Sequence, residues 1–297
     1  MNLFNILKKR SKSYVSDDVG KFYDEHFDAF NKVYGEVIQA FRKNDLSKIL
    51  DYQIAQIGIE PGFTILDAGC GVCGPARYFA KNTLAQIYAI TISQVQYEVA
   101  KKKIEEEGLS DRLQVRKHDY HQLSKCFKKD FFDRIYFLES FGHSNNKEHL
   151  LKECWKVLKP GGEIYIKDLF IRKVANIGTQ AKIDREIVKI NNAYHYDVAD
   201  LNKFLDIVRD VGYVISFVKT IDISLEDFEN LAISNEWQEL TGIAKIDSWT
   251  NYVFPVDFFE VKLYKPEYDA SKGVHRYFIQ NLFQIKVNHL DERDLNA

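Results

Sequence analysis

At 297 residues, 45% of them hydrophobic and 28% charged, the chain has the composition of an ordinary soluble globular protein with room for a large core. Its 41 basic and 43 acidic residues leave a net charge of −2, which gives no electrostatic footprint for a nucleic-acid partner. Four cysteines are too few for a disulfide framework, and no apolar run approaches the ~18 residues that cross a bilayer, so a reducing cytoplasm without integral membrane association is the expected setting.

The start, "MNLFNILKKRSK", sets its charges after a very short apolar stretch, the reverse of a secretory signal, and reads as a solvated helix with one apolar edge. Residues 18–57 read as helix, because Phe22, Phe27, Phe30, Tyr34 and Val37 recur at near three-and-four spacing. From Thr64 the pattern becomes short strands alternating with helices. "TILDA" is a strand, and Pro75 opens a helix where its missing N–H costs nothing. "AQIYAITI" is the second strand, followed by a helix that Gly108 stops. "LQVRKHD" and "FDRIYFLES" are the third and fourth. A helix from Asn146 ends at Pro160 and Gly161–Gly162, and "EIYIKDLF" is the fifth strand. A further helix, Gly212 and a strand follow, and "HRYFIQNLFQIKV" reads as the last strand.

Such alternation predicts an α/β fold, a parallel sheet with helices on both faces. Residues 171–196 and 224–275 lack a clean pattern and read as lid or substrate-facing insertions. The expected organisation is a helical cover (1–57), a Rossmann-like core (58–223), an aromatic-rich insertion (224–275), and a final strand with its tail (276–297).

The stretch "TILDAGCGVCGPARYFA" carries the chemistry. Gly69, Gly71 and Gly74 fit G-x-G-x-x-G, so the backbone can approach a ligand while the helix N-terminus offers free N–H groups to an anion. That alone suits a dinucleotide, S-adenosylmethionine or a phosphate. Asp67, two residues before the first glycine, discriminates: its carboxylate would face a pyrophosphate unfavourably but suits a ligand bearing an ammonium and a sulfonium. The acidic residue a dinucleotide site needs at the end of the second strand is also absent, because that strand ends "AITIS". Cys70 and Cys73 form a C-x-x-C without the partners that a zinc site needs, so no metal is expected.

On these residues the chain resembles the class I S-adenosylmethionine-dependent methyltransferases over most of residues 20–220. That family implies a seven-stranded sheet with an antiparallel last strand. "GCGVCGPAR" is similar to the C-methyltransferases of sterol side chains, and "TISQVQ" to the T-L-S-x-x-Q of the cyclopropane fatty acid synthases. The resemblance implies S-adenosylmethionine as cofactor, held by Asp67, Gly69, Cys70, Gly71 and Gly74. Thr91 and Gln96 would bind its ribose, with Ile92 beside them. Asp119 would meet the adenine amino group, with Tyr120 and Leu138 near the ring. Asp119 before "YHQL" could equally be a helix cap.

The tail of the fourth strand matches the sterol enzymes' Y-x-x-E-x-x-x-H stretch as Tyr136, Glu139 and His143, which makes Glu139 and His143 the implied catalytic residues. Cyclopropane synthases carry glutamate–histidine where this chain has Gly142–His143, which argues against cyclopropane formation. Tyr194, His195, Tyr196 and Trp237 are the expected acceptor-binding aromatics, although aromatics also fill cores. The expected activity is methyl transfer to carbon of a small isoprenoid- or lipid-like acceptor. Methylation of a small amine or amino acid, a silent S-adenosylmethionine-binding protein and a dinucleotide oxidoreductase are the alternatives.

Overall fold

The computed structural model describes residues 13–40, 45–220 and 253–267. Its sheet is built from β1 (Thr64–Ala68), β2 (Gln86–Thr91), β3 (Leu113–Lys117), β4 (Phe132–Leu138), β5 (Leu158–Ile171), β6 (Val214–Thr220) and β7 (Val256–Tyr264). The order is β3-β2-β1-β4-β5-β7-β6. The first five strands run parallel, and β7 pairs antiparallel with both β5 and β6. The order reverses at β1, which places a ligand crevice beyond the carboxyl ends of β1, β2 and β4.

The helices are α1 (Ser16–Glu25), α2 (Phe27–Tyr34), α3 (Leu46–Ile57), α4 (Gly74–Asn82), α5 (Gln94–Glu106), α6 (Leu123–Cys126), α7 (Lys147–Val157), α8 (Ile177–Tyr194) and α9 (Leu201–Val211). Local chemistry fixes several ends. Ser93 accepts from the Gln96 N–H to cap α5, and Asp200 caps α9, each worth about 1 kcal/mol. Gly58 and Gly212 end α3 and α9 at φ of +72° and +108°.

The sheet divides two apolar cores. One packs Phe22, Phe30, Ile57, Phe79 and Ile187 from the α1–α5 and α8 side. The other packs Leu123, Leu150, Cys154, Phe204 and Val208 beneath α6, α7 and α9. Strand residues such as Ile65 and Leu66 bury on opposite faces, as expected for parallel strands covered on both sides.

Four sequence expectations change. The continuous helix over 18–57 is three helices, broken at His26 and after Tyr34, where Gly35 adopts a φ of +61°. The irregular stretch 171–196 contains α8, whose Ile183, Ile187 and Ile190 face the core at helical spacing. Strand β5 begins at Leu158, before the glycines that were expected to precede it. The antiparallel strand β7 lies inside the expected 224–275 insertion, so Phe258, Phe259 and Tyr264 belong to the sheet. The expected strand "HRYFIQNLFQIKV", the basic start, and Trp237, Trp249 and Tyr252 lie outside the described residues. Among the described residues no helix is long and apolar enough to cross a membrane.

Candidate active site

A cleft opens at the switch point and encloses about 850 Å³ of empty space, its solvent-open part included. Its floor is the turn after β1. Gly69 (φ +98°) and Cys70 both donate from their backbone N–H to the Ile90 carbonyl. A Cβ on Gly69 would stand 2.5 Å from that of Ser140, so only glycine lets β1 and β4 end this close together. Ser140 Oγ donates to the Ala68 carbonyl at 2.6 Å and fixes the two strand ends.

Asp67, Gly69, Cys70 and Gly71 line this cleft, as do Thr91, Ile92, Gln96, Asp119, Tyr120 and Leu138. Gly74 does not. The carbonyl of Glu36 would lie 2.0 Å from a Cβ there, so this glycine makes room for the chain after α2 instead of the ligand. Asp67 is 3% exposed, and no charged side chain among the described residues offsets its burial. Burial pushes its carboxyl up to about 7, and the nearby Tyr136 hydroxyl partly offsets that rise. An uncompensated carboxyl of this kind is a place for a cation.

Thr91 Oγ1 donates to Gln96 Oε1 at 2.8 Å, which brings the two expected ribose ligands together. Asp119 both lines the cleft and caps the short turn after β3, accepting from the amide and ring of His121. Burial works against its charge, but the His121 hydrogen bonds hold its carboxyl below the usual range.

Glu139 sits at φ +57°, an unusual conformation for a residue with a Cβ, costing about 1–2 kcal/mol. The surroundings hold it there: its N–H donates to the Lys167 carbonyl at 2.7 Å, and the Tyr196 hydroxyl donates to its own carbonyl at 2.7 Å. Its carboxylate accepts from Lys167 Nζ at 2.6 Å and from the Ala40 N–H at 2.5 Å.

His143 is buried, and burial depresses its imidazole to about 3. Nδ1 lies 3.2 Å from the His195 carbonyl, which can only accept, so Nδ1 carries the proton. Nε2 is thereby left to accept from the Tyr23 hydroxyl at 2.9 Å. Tyr23 lines the cleft from α1, and burial raises its phenol well above the ordinary range.

The three expected acceptor aromatics around α8 do not line the cleft. Tyr194 turns its hydroxyl to Tyr34 at 3.4 Å. His195 stacks between Tyr14 and Phe22. Tyr196 packs on His143 and donates to Asp168 Oδ1 at 3.2 Å. The Tyr196 ring fills the space over Gly142, where a Cβ would come within 2.0 Å of it. A glutamate at 142 therefore has no room.

The sequence reading missed four residues. Tyr23 completes the histidine pair, and Ile38 and Gln39 roof the cleft from the loop after α2. Asp168 accepts from the N–H of Gly142 and the hydroxyl of Tyr196, fixing the His143 loop, and burial lifts its carboxyl to about 7. A Cβ on Gly20 would stand 3.1 Å from the Ile92 carbonyl, which is how closely α1 covers the cleft.

Residues 66–166 match the family model described as a methyltransferase domain. These residues form a methyltransferase domain. The chain is 31% identical over 209 residues to the sterol 24-C-methyltransferase ERG6A of Gibberella zeae, an alignment covering 63% of this chain and 53% of that one. The chain thus spans about half the length of that curated relative. Two solved structures share the fold. A geranyl diphosphate methyltransferase in complex with GPP and sinefungin has a TM-score of 0.68 at 15% identity, covering 84% of this chain and 98% of that one. The [4+2]-cyclase SpnF has a TM-score of 0.66 at 20% identity, covering 86% and 98%.

Proposed function

We propose that this protein transfers a methyl group from S-adenosylmethionine to a carbon atom of a small, neutral isoprenoid- or lipid-like acceptor. The observation that carries the reading is that the β1 cradle and the Tyr23–His143 pair meet in one cleft.

The residues fit the cofactor. Asp67 supplies a buried carboxyl for its ammonium, and Thr91 with Gln96 supplies a hydroxyl and an amide for a ribose diol. The backbone of Gly69, Cys70 and Gly71 lines the same cleft at the end of β1. When bound, S-adenosylmethionine supplies an electrophilic methyl on a sulfonium, a leaving group that needs no acid. The protein's part is alignment, which can contribute ~7–11 kcal/mol.

An alkene that takes a methyl on one carbon becomes a cation at the next and must then lose a proton. Tyr23 faces the cleft with its hydroxyl donating to neutral His143. The hydroxyl oxygen can accept the acceptor's proton while its own proton passes to Nε2. A weak base suffices for so acidic a cation, and an imidazolium disfavoured by burial resets readily. The same pair is poorly suited to drawing a proton from an alkylammonium. Amine methylation is nevertheless the second reading, favoured by the Glu139 carboxylate in the cleft.

The experiment is transfer of labelled methyl into isoprenoid alkenes, unsaturated lipids and small amines, supplied in parallel. Label in a new C–CH3 bond is the expected result. Label confined to amines would replace the carbon reading with the second one.

A further inference from the structure

A line of charges, buried except at its outer end, crosses the sheet beside the cleft. Lys167 of β5 and Lys219 of β6 both stand in register with Glu260 of β7, and Glu139 follows directly from β4. The strands lie in the order β4-β5-β7-β6, so the side chains read acid, base, acid, base from the cleft outward. Lys167 and Glu139 are 2% and 5% exposed in their side chains, Glu260 is 1% exposed, and Lys219 reaches solvent.

Lys167 thus stands between two carboxylates, and their surroundings distinguish them. Both Glu260 oxygens accept from tyrosine hydroxyls, one from Tyr165 and the other from Tyr52 at 2.6 Å, and Lys219 lies 3.7 Å away. The Lys167 ammonium instead bonds Glu139 at 2.6 Å and Gln39 at 2.7 Å. Gln39 is itself held by Gln53 at 2.8 Å and roofs the cleft. One buried cation therefore ties the strained Glu139 to the roof.

Resting on the methyl-transfer reading above, we propose that Lys167 is a positioning residue. It holds the Glu139 carboxylate in place beside the acceptor, where the carboxylate stabilises the positive charge that develops as the methyl arrives. Glu139 then acts through its charge, and the proton leaves through Tyr23 and His143. Removing one partner of a buried ion pair destabilises, because the charge left behind is no longer compensated by its counter-ion, whereas replacing both partners is tolerated far better.

The test compares Lys167→Met, Glu139→Gln and the double variant in the full-length protein. Thermal unfolding and S-adenosylhomocysteine binding need no acceptor. The double variant should unfold at a higher temperature than Lys167→Met, because it buries no carboxylate from which the Lys167 cation has been taken away. With an acceptor, Lys167→Met should lower kcat at least 30-fold, as Glu139→Gln does, with KM and homocysteine-analogue affinity within threefold of wild type. The double variant should be no slower than either single one. If Lys167→Met does not fold but the double does, the pairing is supported. A double variant no more stable than Lys167→Met, a kcat left intact, or a loss residing in KM would overturn the proposal. An inactive wild type would instead be a failure of the methyl-transfer reading, seen before any variant is made.

Discussion

Asp67, the residue proposed to hold the cofactor's ammonium, works against the ligand-free protein. Its carboxyl titrates near 7 when folded against an ordinary value of 3.8, so the folded state holds the proton more tightly than the unfolded one. Stability from this group is therefore present at low pH and declines as pH rises from about 4 through 7, by up to about 1.4 kcal/mol per unit. Asp67→Asn should raise the melting temperature of the ligand-free protein at pH 8 by at least ~4 °C, read by differential scanning calorimetry. An unchanged or lower melting temperature would show that the carboxyl carries no such penalty. Asp168, lifted to about 7 by its own burial, adds a decline of the same sign in the wild type.

With His143 depressed to about 3, activity should show no acid limb from this histidine near its ordinary 6.5. Tyr23→Phe removes the hydroxyl that meets the acceptor side, and kcat should fall about 100-fold with little change in KM. Equal activity in the variant would exclude the relay. Neither Tyr23 nor Lys167 was legible in the sequence, since each acquires its role through a partner 120 or 28 positions away. Glu139 and His143, by contrast, stood together at a strand end, where the site had to be.

At the level of elements, the loop from Gly35 to Ala40 is the most consequential piece of chain the sequence did not reveal. It is fastened at one end by Glu36, which pairs with Arg77 of α4 and Lys103 of α5. Its other end rests on Glu139 and Lys167. Gly74 gives it space, so Gly74→Ala should lift the loop. The variant should lose about 1–3 kcal/mol of stability in denaturant unfolding and bind S-adenosylhomocysteine more weakly, although residue 74 lies outside the cleft. Wild-type affinity in this variant would mean that the loop is not part of the site.

Periodicity explains which elements could be read. β1, β2 and β4 are short apolar runs bounded by glycine or turn residues, and they stood out. In β7 the inward-facing positions include Val256, Phe258 and Glu260, and the buried carboxylate interrupts the alternation that marks a strand. Its aromatic content suggested a lid. α8 carried a usable signal in Ile183, Ile187 and Ile190, obscured by Gly178 and by the polar residues around them.

For the whole molecule, seven strands around one reversal place every cofactor candidate except Gly74 along the same crevice, and α1 covers part of it. The fold was legible because a parallel sheet forces strand–helix alternation and fixes where the loops must meet. The acceptor was not legible, because its pocket depends on which side chains converge over Tyr23 and Glu139 from distant segments. A crevice with a buried carboxyl at the end of β1 suits a sulfonium amino acid and not a dinucleotide. Calorimetric titration with S-adenosylhomocysteine and with NAD, on wild type and Asp67→Ala, tests it most directly. The account predicts tight binding of the homocysteine analogue, weakened at least tenfold in the variant, and no binding of NAD. Binding of NAD, or an affinity for the analogue that ignores Asp67, would contradict it.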